Sequence, residues 1–178
     1  MAMELTAKQQ TVELIRESEK ILLLTHVNPD GDALGSLLAL QMILTKLGKE
    51  AIAVCSEPIP NAFQFLPGRE KLTTDFSGLK DFVITVNTTN TKVDKLGYKS
   101  IPEENKLNIV ITPVSGTFRP EDVSCGHGQF KYDLVIVLDS PDLERLGKVY
   151  DANTELFYET PVINIDHHAG NDYFGKVN

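Results

Sequence analysis

Apolar residues come in two rhythms along this chain, a helical one and short unbroken runs, and the alternation between them predicts the elements. Residues 5–19 set Leu5, Val12 and Ile15, with Gln9, on one face and are charged elsewhere, the pattern of an amphipathic helix. Ile21-Leu22-Leu23-Leu24, bounded by Lys20 and Thr25, reads as a strand buried on both faces of a parallel sheet. After a turn-rich loop over residues 27–32, residues 33–44 are helix formers apolar enough for a largely buried helix, with Gly48 as a stop. A second strand at 51–54 completes a βαβ unit.

Farther on, residues 81–86 read as a strand, and 92–101 and 107–112 as two strands pairing antiparallel across Pro102-Glu103-Glu104-Asn105. Residues 113–130 hold Pro, Gly and polar clusters and read as loop, with one helical turn after Pro120. Residues 133–139 form another buried strand ending in a carboxylate, 147–159 a weak helix, and 161–166 a last strand that also ends in a carboxylate. The expected fold class is α/β: a mostly parallel sheet flanked by helices, with an antiparallel arm around 92–112.

With 178 residues the chain is long enough for one domain with a real core, since domains commonly run to about 100–200 residues. Hydrophobic residues at 42% and charged residues at 24% are ordinary for a globular protein. No apolar run approaches the roughly 20 residues of a membrane-spanning helix, and the N-terminus lacks a signal pattern, so a cytoplasmic location is expected. Cys55 and Cys125 form no CxxC pair, which gives no support to a zinc ribbon or a disulfide framework. The net charge of −8 shows no basic stripe for a long nucleic acid. It suits a collector of divalent cations or a handler of short phosphorylated substrates, although taken alone it favours a merely solvated acidic surface over either.

Chemistry concentrates at three strand ends. His26 closes one strand, with Asp30 and Asp32 just after it; Asp139 closes a second; Asp166, His167 and His168 follow a third. In open parallel sheets these ends meet at one edge, where ligands bind. Four carboxylates in one crevice repel each other unless a cation compensates. Imidazoles mixed with carboxylates favour Mn²⁺, Fe²⁺ or Zn²⁺ over Ca²⁺ or Mg²⁺, and five or more ligands suit a metal pair, a recurring device for phosphoryl hydrolysis. Asp139, alone on its strand, is the natural bridge. Taken singly, each piece has a plainer reading: Asn28-Pro29-Asp30-Gly31-Asp32 is a good turn, Asp32 suits a helix N-cap, and paired histidines are often surface residues. The fourth histidine, His127, falls in the expected loop and is read as structural or surface.

His26-Val27-Asn28-Pro29-Asp30-Gly31-Asp32-Ala33-Leu34-Gly35-Ser36 resembles the first motif of the DHH phosphoesterases, Val137-Leu138-Asp139 their second, and Asp166-His167-His168 the triplet that names them. Within the family it resembles the branch of oligoribonucleases, adenosine-bisphosphate phosphatases and cyclic dinucleotide phosphodiesterases. Phe65-Leu66-Pro67-Gly68 and Asn171-x-x-Phe174-Gly175 are weaker cues to that branch. Family II inorganic pyrophosphatases rank second, since they usually carry Thr where this chain has Gly31, and a non-catalytic scaffold of the same fold ranks third.

The resemblance implies that His26 and Asp30 bind one metal, Asp32 and His167 the other, and that Asp139 bridges them. Asp166 would orient its neighbours as a hydrogen-bond acceptor, and His168 would face the substrate phosphate or leaving oxygen. It implies two Mn²⁺ as cofactors, with Mg²⁺ or another divalent cation as the alternative, and hydrolysis by a metal-activated water with no protein nucleophile. The implied partner is a short nucleotide substrate, with no long duplex nucleic acid and no membrane; a homodimer is compatible with it. The likeness spans residues 1–178 as the family's first domain. Relatives continue with another metal-binding aspartate and a smaller substrate-binding domain, both absent from this chain, so its own substrate binding is expected to be weak.

Overall fold

The computed structural model describes residues 5–74 and 80–178. Helix α1 (Ala7–Glu17) leads into strand β1 (Lys20–Thr25), helix α2 (Gly31–Lys46) and strand β2 (Glu50–Val54). Strands β3 (Lys80–Val86), β4 (Val93–Ile101), β5 (Lys106–Pro113) and β6 (Val123–Phe130) follow. The chain ends with β7 (Leu134–Leu138), the short helices α3 (Lys148–Ala152) and α4 (Thr154–Glu159), and β8 (Val162–Ile165). By its internal contacts it divides into two compact units, residues 81–129 and the remainder.

The larger unit is built on a parallel sheet in the order β2-β1-β7-β8. Its inner strands are covered on both sides, which is why their sequences are unbroken apolar runs. Ile21 and Leu23 of β1 and Leu134 and Ile136 of β7 pack with Leu34, Leu37 and Leu44 of α2 on one face. Leu22, Leu24, Val135 and Val137 point the other way, against Leu146, Val149, Leu156 and Phe157. All four apolar residues at the centre of β1 are at most 1% exposed, each worth about 1.5–3 kcal/mol of burial. Beyond β8 the chain returns alongside it, Lys176 donating its N–H to the Val162 carbonyl.

Several expectations need correction. Leu5, just ahead of α1, and Val12 within it lie exposed, and it is Leu14 and Ile15 that reach the core, because the helix presents its Thr11-Leu14-Ile15 side. Helix α2 begins at Gly31 rather than near Ala33, with Asp30 and not Asp32 as the N-cap. The segment read as loop over 113–130 holds the expected turn at Pro120–Asp122, yet its second half is strand β6, hydrogen-bonded to β3. Gly126 and Gly128, taken as breakers, sit inside that strand; a Cβ on Gly128 would lie 3.1 Å from Val83 Cγ2, so the glycine permits close approach of the two strands. His127 is therefore a strand residue, edge-on to Phe82 with ring centroids 6.3 Å apart.

In the smaller unit, β4 and β5 pair antiparallel as expected, from Ile101↔Lys106 to Val93↔Pro113, with Asn105 in the left-handed conformation closing the turn. Among the described residues no helix is long and apolar enough to cross a membrane.

Candidate metal centre

Strand order decides where the polar residues gather. From β1 the chain moves through α2 to β2 on one side, then returns to β7 on the other side of β1, so the crevice between the C-terminal ends of β1 and β7 is a topological switch point. Thr25 Oγ1 clamps the two ends by donating to the Leu138 carbonyl at 2.9 Å. His26 and Asp139 are the next residue on each strand.

Asp139 is 7% exposed and turns out of β7 with φ 56°, a left-handed conformation that aspartate tolerates better than most side chains. Its own N–H bonds the Ile165 carbonyl at 2.9 Å, which ties this turn to β8. Three imidazoles surround the carboxylate. His26 Nε2 lies 3.7 Å from Oδ2, and His167 Nε2 and His168 Nδ1 lie 3.2 Å and 3.9 Å from Oδ1. His26 Nδ1 is 2.8 Å from the Val27 carbonyl, which can only accept, so Nδ1 carries a proton and Nε2 is the nitrogen turned toward Asp139. The backbone of Val27 is held in turn by Arg145, whose carbonyl accepts its N–H at 2.8 Å. Gly147, at φ 56°, lies so near that a Cβ there would come within 2.8 Å of Val27 Cγ1.

Asp30 spends one oxygen on the helix. Its Oδ1 accepts from the backbone N–H groups of Asp32 and Ala33, each at 3.0 Å, and the Ala33 bond is the main cause that holds its carboxyl below the usual range. Ligand atoms of His26, Asp30 and Asp139 all fall within 4.8 Å of one another, as do those of Asp139, His167 and His168. The two groups share Asp139. Asp32 belongs to neither trio, but it lines the same 480 Å³ cavity as Asp139, Asp166 and His167, together with Gly31, Gly35 and Ser36 of α2.

The donor set fits a divalent cation. Two atoms bound to one ion at about 2.0–2.2 Å are themselves separated by about 3–4.4 Å, and the nitrogen–oxygen distances around Asp139 fall in that span. Carboxylates of Asp30, Asp32, Asp139 and Asp166 gathering beside the imidazoles also supply the negative charge that a cation offsets.

Asp166 points away from solvent. Burial pushes its carboxyl up, but hydrogen bonds from His168 and Asn171 outweigh that and hold it below the usual carboxylate range. His168 Nδ1 is 2.6 Å from Asp166 Oδ1, and that bond raises the imidazole's pKa. Asn171 enters the sequence reading only as part of a weaker family cue, and Asn164 only within the last strand, with no role given to either. The sequence does hold a signal for Asn164: it is a polar residue inside the apolar strand Val162-Ile163-Asn164-Ile165, and a buried amide needs partners.

The family model described as "DHH family, N-terminal domain" matches residues 20–177. A stretch of 51 residues is 49% identical to the bifunctional oligoribonuclease and PAP phosphatase NrnA of Thermus thermophilus, covering 29% of this chain and 15% of that protein. The fold is similar to a solved exopolyphosphatase-related protein from Bacteroides fragilis, with a TM-score of 0.59 and 16% identity over 96% of this chain and 37% of that one. The chain thus spans well under half the length of either relative. Its match to the family model runs from the first residue of β1 to Val177, in the segment that returns beside β8, taking in every residue of the crevice, and the chain belongs to the DHH family as its N-terminal domain.

Proposed function

We propose that this domain hydrolyses phosphate esters with two divalent cations, Mn²⁺ first among them. The observation that carries the reading is the sharing of Asp139 between two groups of ligand atoms. His26 and Asp30 would hold one cation and His167 and Asp32 the other, Asp139 serving both. Bound there, the pair would supply an acidified water and absorb the charge that develops on phosphorus. His168, backed by Asp166, stands at the edge of this group and is suited to face the phosphate or, as the imidazolium with Nδ1 held by Asp166, to give its Nε2 proton to the leaving oxygen.

For substrate we propose a short oligonucleotide, a cyclic or linear dinucleotide, or adenosine bisphosphate, rather than a long duplex. The 51-residue likeness to an oligoribonuclease and PAP phosphatase supports that class, as does a net charge of −8. The test is phosphate or nucleotide release with Mn²⁺, comparing the unmodified protein with Asp139→Asn, a substitution that keeps the left-handed turn comfortable. Activity is expected to fall by more than the about 10–100-fold typical of losing an outer hydrogen-bond partner. Equal release from both proteins would defeat the proposal, and cleavage of pyrophosphate alone would replace the substrate class.

A further inference from the structure

Behind the crevice runs a chain of amide hydrogen bonds that the chemistry above does not use. Asn164, 2% exposed, donates from Nδ2 to the Ser140 carbonyl at 2.9 Å, next to Asp139. Asn171 Nδ2 donates twice, to Asn164 Oδ1 at 2.6 Å and to Asp166 Oδ2 at 2.7 Å. Asn171 Oδ1 accepts the Tyr173 N–H at 2.6 Å. The side chain of Asp166 is fully enclosed, and its second oxygen meets His168 Nδ1.

The directions in this chain are forced. An amide nitrogen has two protons to give and an ionised carboxylate has none, so Asn171 donates to both neighbours and Asp166 accepts on both oxygens. A carboxylate pinned on one side by Asn171 can receive His168 on the other only through a protonated Nδ1. We infer that Asn171, braced by Asn164, is a positioning residue: it fixes the Asp166 carboxylate so that His168 keeps its proton on Nδ1 and meets substrate through Nε2. This deepens the reading of His168 in the proposed hydrolysis and rests on it. A purely structural role, cross-linking β8 to the loop after it, is the competing account.

Asn171→Asp separates the two. It preserves shape and the acceptor for Tyr173, removes both donated bonds, and sets a second carboxylate against Asp166; Asn171→Ala removes everything. Ring-nitrogen NMR of the metal-free protein reads which His168 nitrogen carries the proton, with no need for activity. The unmodified protein should show the Nδ1–H form, and both variants a mixture of tautomers. With Mn²⁺, kcat should drop about 10–100-fold in both while KM and Mn²⁺ affinity hold. Lowering pH should restore part of the relative kcat to Asn171→Asp alone, because a protonated carboxyl donates again. Asp30, Asp139, Asp166, His167 and Arg145 all face His168, so the ratio is taken against the unmodified protein at each pH. Variants that lose thermal stability yet keep the Nδ1–H tautomer and kcat would overturn the inference. If the unmodified protein hydrolyses no phosphate ester, the proposed function fails, and the NMR comparison still decides the role of Asn171.

Discussion

Asp30 serves a helix and a crevice with one carboxylate. Its Oδ1 caps α2, and the same side chain stands within reach of His26 and Asp139. The two duties can be pulled apart, because asparagine caps a helix as well as aspartate does. Asp30→Asn should leave the metal-free protein near its original stability while weakening Mn²⁺ binding. Asp30→Ala should weaken binding and also cost about 1 kcal/mol, seen as a lower melting temperature without metal. Equal melting temperatures for the two variants would contradict the capping role. Since the folded carboxyl is held below its usual range, the cap's contribution is present above the unfolded carboxylate's pKa and is lost as pH falls through the lowered value. At this scale the gathering of His26, Asp30, Asp139 and His167 was legible because His26, Asp139 and His167 follow apolar runs that end at the sheet edge, with Asp30 in the loop after the first. The identity of the cap was not: Asp30 and Asp32 both precede helix formers, and only the true start at Gly31 decides between them.

Helix α2 divides its surface between core and cavity. Ala33, Leu34, Leu37, Leu38, Gln41 and Leu44 are buried, while Gly31, Asp32, Gly35 and Ser36 line the cavity. A Cβ added to Gly35 would meet nothing within 4 Å, so no packing neighbour requires glycine there, although glycine in a helix interior costs about 0.5–1 kcal/mol relative to alanine. Gly35→Ala should therefore stabilise the fold by about that amount and, by narrowing the cavity, raise KM without changing Mn²⁺ affinity. A more stable protein with an unchanged KM would show that the space serves no substrate. Among elements, β1 and β7 were readable because burial on both faces leaves an unmistakable apolar run. Strand β6 was not, since Val123–Phe130 is exposed or half-buried along its length and carries two glycines.

That contrast extends to the whole molecule. Among its described residues, the unit spanning residues 81–129 buries no side chain, so hydrophobic periodicity has little to record there. Its hairpin was still legible through turn chemistry at Pro102 to Asn105, which is local and independent of any core. The larger unit owes its legibility to the opposite cause: a parallel sheet covered on both faces fixes which residues are apolar, and its strand order then gathers the remaining polar residues at one edge. The account as a whole hangs on Asp139 being shared. Titration of the protein with Mn²⁺, read by calorimetry for stoichiometry and by electron paramagnetic resonance for coupling, tests this most directly. Two ions per chain with an exchange-coupled signal that Asp139→Asn abolishes is the expected result. Two uncoupled ions, or a variant that binds the pair as the original does, would contradict it.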